Sequence, residues 1–87
     1  MARSKGFGDR FPVHESEVLD ALARNVRRLR KKRNWTQDEL AAAAGIEQTA
    51  VSLIENRRSN PTVQIIEKVA SALGVAFVEL FSSRSRP

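Results

Sequence analysis

The 87-residue sequence predicts an all-α fold of five helices, and three observations carry that prediction. Apolar residues recur at helical spacings along most of the chain. Residues suited to helix starts (Ser16, Thr36, Thr62) and helix ends (Asn34, Gly45, Gly74) bracket those segments, and no alternating run bounded by turn signals argues for a strand. No internal repeat is present. The length suits one small domain, expected to bury about 60% of the surface its unfolded chain exposes. With no cysteine, neither a disulfide nor a thiolate metal site braces that core, so stability must come from helix packing.

Residues 1–15 contain two of the four glycines, one proline and three basic residues without helical period, and read as a flexible basic arm. The domain proper is expected over 16–82, followed by a tail at 83–87. Ser16 is an N-cap, and Leu19, Leu22, Val26 and Leu29, at spacings of 3, 4 and 3, give helix 1 one apolar stripe as far as about Arg33, with Asn34 as a left-handed exit. Thr36 and Glu39 form the T-x-x-E capping box that opens helix 2, which runs to Gly45. A third helix is expected from Glu47 or Gln48 to about Asn56. The polar RRSNP segment (57–61) is a loop; Thr62 caps helix 4, whose apolar face is Ile65, Ile66, Val69, Ala70 and Leu73, and Gly74 ends it. A fifth helix at about 76–82 carries Phe77, Val78, Leu80 and Phe81.

Fifteen Lys and Arg against ten Asp and Glu give a net charge of +5, and seven of the fifteen lie between Arg24 and Arg33. That clustering suits a polyanion-binding face, although a solvated helix face would show it too. The strongly apolar run from Val69 to Val78 is about half the length that crosses a bilayer. The segment GFGDRFPV lacks the apolar region of a secretory signal, so the expectation is a soluble cytoplasmic protein with no membrane partner. An enzyme reading has little support: His14 is the only histidine, and no Cys or carboxylate cluster accompanies it at metal-ligand or triad spacing. No metal, cofactor or small-molecule ligand is expected. Trp35, lying between two helices, reads as core rather than as a platform for a base.

Residues 36–56 hold the chemistry. Two helices joined by so few residues must cross steeply and pack closely at the hinge. Ala41 is small where helix 3 approaches, Gly45 supplies the turn, Ile46 plugs the corner, and Val51 and Ile54 fill the inner face. Subtracting these leaves Gln48, Thr49, Ser52 and Leu53 on the outer face of helix 3, none of them basic. A Gln at a helix start can make the bidentate contact to adenine N6 and N7, and Thr49 and Leu53 can meet a thymine methyl. The positive charge sits apart, which suits a division between positioning on phosphate and reading of bases. Arg27 on helix 1, Thr36, and the loop residues Asn56, Arg57 and Arg58 are the candidate phosphate contacts.

With LRKKRNWTQDELA, Ala41, Gly45, GIEQTAVSLIEN, the NP turn at Asn60 and Pro61, and ALGV followed by ELF, residues 17–81 resemble the helix-turn-helix domain of the phage repressor, Cro and Xre family. The resemblance implies the five-helix lambda-repressor-like fold, a homodimer, and helix 3 laid in the major groove of double-stranded DNA. It also implies that Gln37 clamps a phosphate, that Gln48, Thr49 and Leu53 read bases, and that Arg30 pairs with Glu55 in a structural role. Part of the surface of Phe77, Val78, Leu80 and Phe81 is expected to form the twofold contact; a lid over the core is the simpler alternative.

One departure is Arg57, at a position where such proteins commonly have glycine, so the loop is expected to turn differently. The arm exceeds the minimal fold, and insertion of Arg3 and Lys5 into a minor groove stands as the alternative to a disordered tail. The leading expectation is a transcriptional regulator, a repressor on a palindromic operator. The competing readings are a restriction-modification controller that both activates and represses, an antitoxin, and a protein-interaction module that has lost DNA binding.

Overall fold

The computed structural model describes residues 16–82; the arm at 1–15, with Arg3, Lys5 and His14, and the tail at 83–87 lie outside the described residues. All regular structure in the described chain is helical, with four α-helices: α1 (Glu17–Lys32), α2 (Gln37–Ala44), α3 (Gln48–Glu55) and α4 (Val63–Leu73). A 3-10 helix, Phe77–Phe81, follows them. No strand occurs among the described residues, and no helix there is long and apolar enough to cross a membrane.

Local sequence sets the helix ends. Ser16 Oγ accepts from the Leu19 N–H at 3.2 Å, and Thr62 Oγ1 from Ile65 at 3.1 Å. The capping box closes on both sides: Thr36 Oγ1 accepts from Glu39 N–H at 3.1 Å, and Glu39 Oε1 from Thr36 N–H at 2.8 Å. Asn34 leaves α1 with φ of 59°, and Gly45 leaves α2 with φ of 71°. A side chain at Gly45 would meet nothing within 4 Å, so it is the left-handed backbone rather than crowding that calls for glycine.

The core gathers Leu22 and Val26 of α1, Leu40 and Ala41 of α2, Val51 and Ile54 of α3, Ile66, Val69, Ala70 and Leu73 of α4, and Leu80. Leu19, Leu29, Ile46, Ile65 and Trp35 pack against it partly buried. The Arg33 guanidinium lies 5.0 Å from the centre of the Trp35 ring, so that indole is held by core on one side and a cation on another. α1 packs on α3, α4 and the 3-10 helix, while α2 packs on α3 and α4, so α1 has more neighbours than one stripe can serve. Its burial accordingly spreads to Ala21, Ala23, Asn25 and Arg30.

The last element corrects the expectation of a fifth α-helix. Its bonds are of the tighter kind, Glu79 N–H to Ala76 C=O at 2.9 Å and Ser82 N–H to Glu79 C=O at 3.4 Å. Five residues after the Gly74 turn are too few to sustain an α-helix by propensity, so tertiary contacts choose the geometry. A three-residue turn aligns Phe77 with Leu80, and Asn25, wholly buried on α1, fixes the end by donating from Nδ2 to the carbonyls of Leu80 (2.9 Å) and Ser82 (3.0 Å). Leu80 is fully buried within the single chain, which removes it from the candidate dimer contacts. Val78 is 72% exposed, while Phe77 and Phe81, with ring centres 5.3 Å apart, are half-buried.

Candidate nucleic-acid interface

The outer face of α3 carries exposed Gln48, Thr49 and Leu53 with half-buried Ser52 between them, while Val51, Ile54 and Glu55 turn inward. Behind that face a chain of polar contacts runs from the core to the surface. Arg30 and Glu55 meet fork to fork, Nε to Oε2 at 2.7 Å and Nη2 to Oε1 at 2.8 Å, with the Glu55 side chain fully shielded from solvent. Arg30 Nη1 also donates to the Trp35 carbonyl at 2.8 Å, tying the pair to the loop between α1 and α2.

Glu55 Oε1 takes a further bond from Gln37 Nε2 at 3.2 Å and faces Arg27 Nε at 3.6 Å. Burial would raise the Glu55 pKa, but the hydrogen bonds from Arg30 and Gln37 and the charges of Arg30 and Arg27 outweigh it and hold the carboxyl below its ordinary value. The Glu55 hydrogen bond outweighs desolvation at Arg30 and raises that guanidinium above its own.

Gln37 passes this order outward. A carboxylate accepts only, so the amide nitrogen of Gln37 must point at Glu55; its Oε1 is thereby aimed the other way, where it accepts from Gln48 Nε2 at 2.8 Å. Gln48 is left with a second N–H and its own Oε1, the donor and acceptor that a bidentate contact to adenine requires. Sequence reasoning placed Gln37 and Gln48 in separate roles and missed this bond, because no spacing rule links residues 11 apart on different helices.

The candidate phosphate residues are partly committed elsewhere. Thr36 uses its oxygen in the capping box and retains its hydroxyl proton. Asn56 donates from Nδ2 to the Ser52 carbonyl at 2.8 Å, with Ser52 Oγ at 3.4 Å, so its amide serves the end of α3. The side chain of Arg27 is 51% exposed, and Arg58 is exposed beside the turn.

Arg57 corrects the expectation of a different turn. It adopts φ of 57°, the conformation a glycine would take, and the N–H groups of Arg57 and Arg58 bond back to Ile54 (3.1 Å) and Leu53 (2.8 Å). Its guanidinium donates from Nη1 to Asp20 Oδ1 on α1 at 2.8 Å, a partner that nothing in the sequence pointed to. Among the described residues no group of three metal-ligating side chains occurs.

Two short helices locked at a left-handed glycine, the second presenting a polar face stiffened from behind, define the helix-turn-helix class. The chain belongs to the Xre-type helix-turn-helix family HTH_3, whose model matches residues 26–80, a family of DNA-binding transcriptional regulators. It is 45% identical over 64 residues to the uncharacterized HTH-type transcriptional regulator y4dJ of Sinorhizobium fredii, covering 74% of this chain and 83% of that one. It is 42% identical over 66 residues to a hypothetical transcription factor of Neisseria meningitidis, covering 76% of this chain and 62% of the relative. The crystal structure of the Neisseria factor superposes with a TM-score of 0.73 at 36% identity, covering 84% of this chain and 90% of that one. The restriction-modification controller protein C.AhdI of Aeromonas hydrophila superposes with a TM-score of 0.69 at 30% identity, covering 72% of this chain and 96% of that one.

Proposed function

We propose that this chain is a sequence-specific transcriptional regulator acting in the cytoplasm as a homodimer, most simply a repressor, on a palindromic operator. In that reading α3 lies in the major groove, Gln48, Thr49, Ser52 and Leu53 meet base edges, and Arg27, Thr36, Gln37, Arg57 and Arg58 hold phosphates. The observation that carries it is Gln48: exposed, oriented by Gln37, and left with the donor and acceptor of a bidentate base contact. Val78, Phe77 and Phe81 supply the apolar surface for the twofold contact, and half-sites would sit about 34 Å apart, one helical turn.

Operator selection from random duplexes, followed by binding across salt, tests this. About 6 to 8 phosphate contacts give a log-log slope of roughly −5 to −7. A flat salt response with equal affinity for selected and random DNA would support instead an interaction module whose basic α1 binds an acidic protein. The fold match over nearly all of C.AhdI favours, as a second reading, a controller that activates as well as represses. Transcription from the operator with and without the protein separates the two.

A further inference from the structure

Between α1 and the turn after α3 lies an open cleft of about 500 Å³, lined by Asp20, Ala23, Arg24, Arg27, Asn56 and Arg57 over the buried Glu55. Three arginines border it, two of them facing carboxylates: Arg27 faces Glu55 and Arg57 faces Asp20. The wall is continuous with the reading face through direct contacts: Arg27 to Glu55 at 3.6 Å, Glu55 to Gln37 at 3.2 Å, and Gln37 to Gln48 at 2.8 Å. Glu55 is consumed by Arg30, so the carboxylate exposed at this cleft is Asp20, and Arg57 holds it at 2.8 Å.

We propose that the cleft seats one backbone phosphate of bound DNA and that Asp20 stands in for that phosphate in the free protein, so that binding moves Arg57 from a carboxylate to a phosphodiester. A phosphodiester offers a guanidinium the same paired oxygen acceptors as a carboxylate. The Arg57–Asp20 pair is weakly held, with side chains 46% and 42% exposed, and exposed pairs resist exchange little. Arg57 needs no rearrangement of the backbone to change partner, because the bonds to Ile54 and Leu53 fix the turn. Asp20 thereby lowers affinity for all DNA alike, since phosphate contacts carry no sequence information.

This rests on the regulator reading and is tested with Asp20→Asn and Arg57→Gly, alone and combined, on the selected operator and on a random duplex. Glycine suits the left-handed turn, so Arg57→Gly removes the guanidinium while keeping the backbone. Asp20→Asn is expected to tighten binding to both duplexes about threefold, the scale of an exposed ion pair. In the Arg57→Gly background the same change is expected to add nothing. Its thermal stability should not rise, whereas a merely structural Asp20 would lose stability and affinity together. A gain that persists without Arg57 would show Asp20 repelling phosphates at a distance, and no gain at all would show no exchange; either overturns the inference. Failure of the unaltered protein to bind any duplex would remove the regulator reading and this inference with it, whereas DNA binding with an additive cycle removes the inference alone.

Discussion

Gln48 Nε2 donates to Gln37 Oε1 at 2.8 Å, joining the first residue of one short helix to the first residue of the next. The bond is the outer end of a polar chain anchored on buried Glu55. It favours one rotamer of Gln48 before binding, and so offsets part of the about 0.5 to 1.5 kcal/mol that ordering such a side chain costs on binding.

Substitution at the two glutamines should therefore differ in kind. Gln48→Ala is expected to relax preference at one operator position by roughly 1 to 3 kcal/mol and leave random DNA unaffected. Gln37→Ala should weaken every duplex and, by releasing Gln48, also blur that same position. Competition titrations against single-base operator variants measure both. A Gln37→Ala variant that loses affinity uniformly, with discrimination intact, would show that the bond plays no part in reading.

The Arg30–Glu55 pair makes a stability prediction with a defined pH sign. Glu55→Gln leaves Arg30 buried without its charge partner and is expected to cost about 3 to 5 kcal/mol at pH 7, measured by urea unfolding. Because the folded carboxyl is held below its ordinary value, its contribution is fully present above the unfolded value of about 4.3 and is lost as pH falls through the folded value. The gap between the original protein and Glu55→Gln should therefore begin to narrow as pH drops below about 4.3, where the unfolded chain takes up the proton, and close as pH passes below the lower folded value. A gap that stays constant from pH 7 to pH 3 would contradict the assignment.

These contacts mark where the sequence stopped being informative. Caps, the left-handed exits at Asn34, Gly45 and Gly74, and the inward Val51 and Ile54 were legible because each depends on neighbours within one or two turns. The outer face of α3 was legible by subtraction, and the Arg30–Glu55 pair only through family resemblance. The Asp20–Arg57 pair, the two hydrogen bonds from Asn25 to the Leu80 and Ser82 carbonyls, and the tightening of the last helix depend on elements 37 to 57 residues apart. Local pattern holds no signal for such distances, and Leu80 looked like surface only because its helix was read without the α1 groove that receives it.

Two left-handed positions offer a contrast in backbone cost. Gly45→Ala meets no neighbour, so its cost is the left-handed penalty of about 1 to 2 kcal/mol. Arg57→Gly removes a similar penalty but loses an exposed ion pair worth at most about 1 kcal/mol and adds flexibility to the unfolded chain worth roughly 0.4 to 1. Urea unfolding should thus find Gly45→Ala clearly destabilised and Arg57→Gly within about 1 kcal/mol of the original. A large loss at Arg57→Gly would mean that the Asp20 contact braces the fold rather than merely resting on it.

Asn25 ties stability to the proposed dimer contact. Its amide satisfies two carbonyls at the end of the 3-10 helix, and its Oδ1 lies 3.4 Å from Arg28 Nη2. Asn25→Leu would fill the volume but leave the buried Leu80 carbonyl without its donor, at a cost of about 1 to 3 kcal/mol. The loosened segment carries Phe77, Val78 and Phe81, so on the proposed dimer contact the subunit affinity should fall as well, by more than a change confined to folding would cause. Sedimentation at several concentrations, under conditions where circular dichroism shows the variant folded, reads that effect. A folded Asn25→Leu protein with unchanged dimerisation would place the twofold contact elsewhere on the surface.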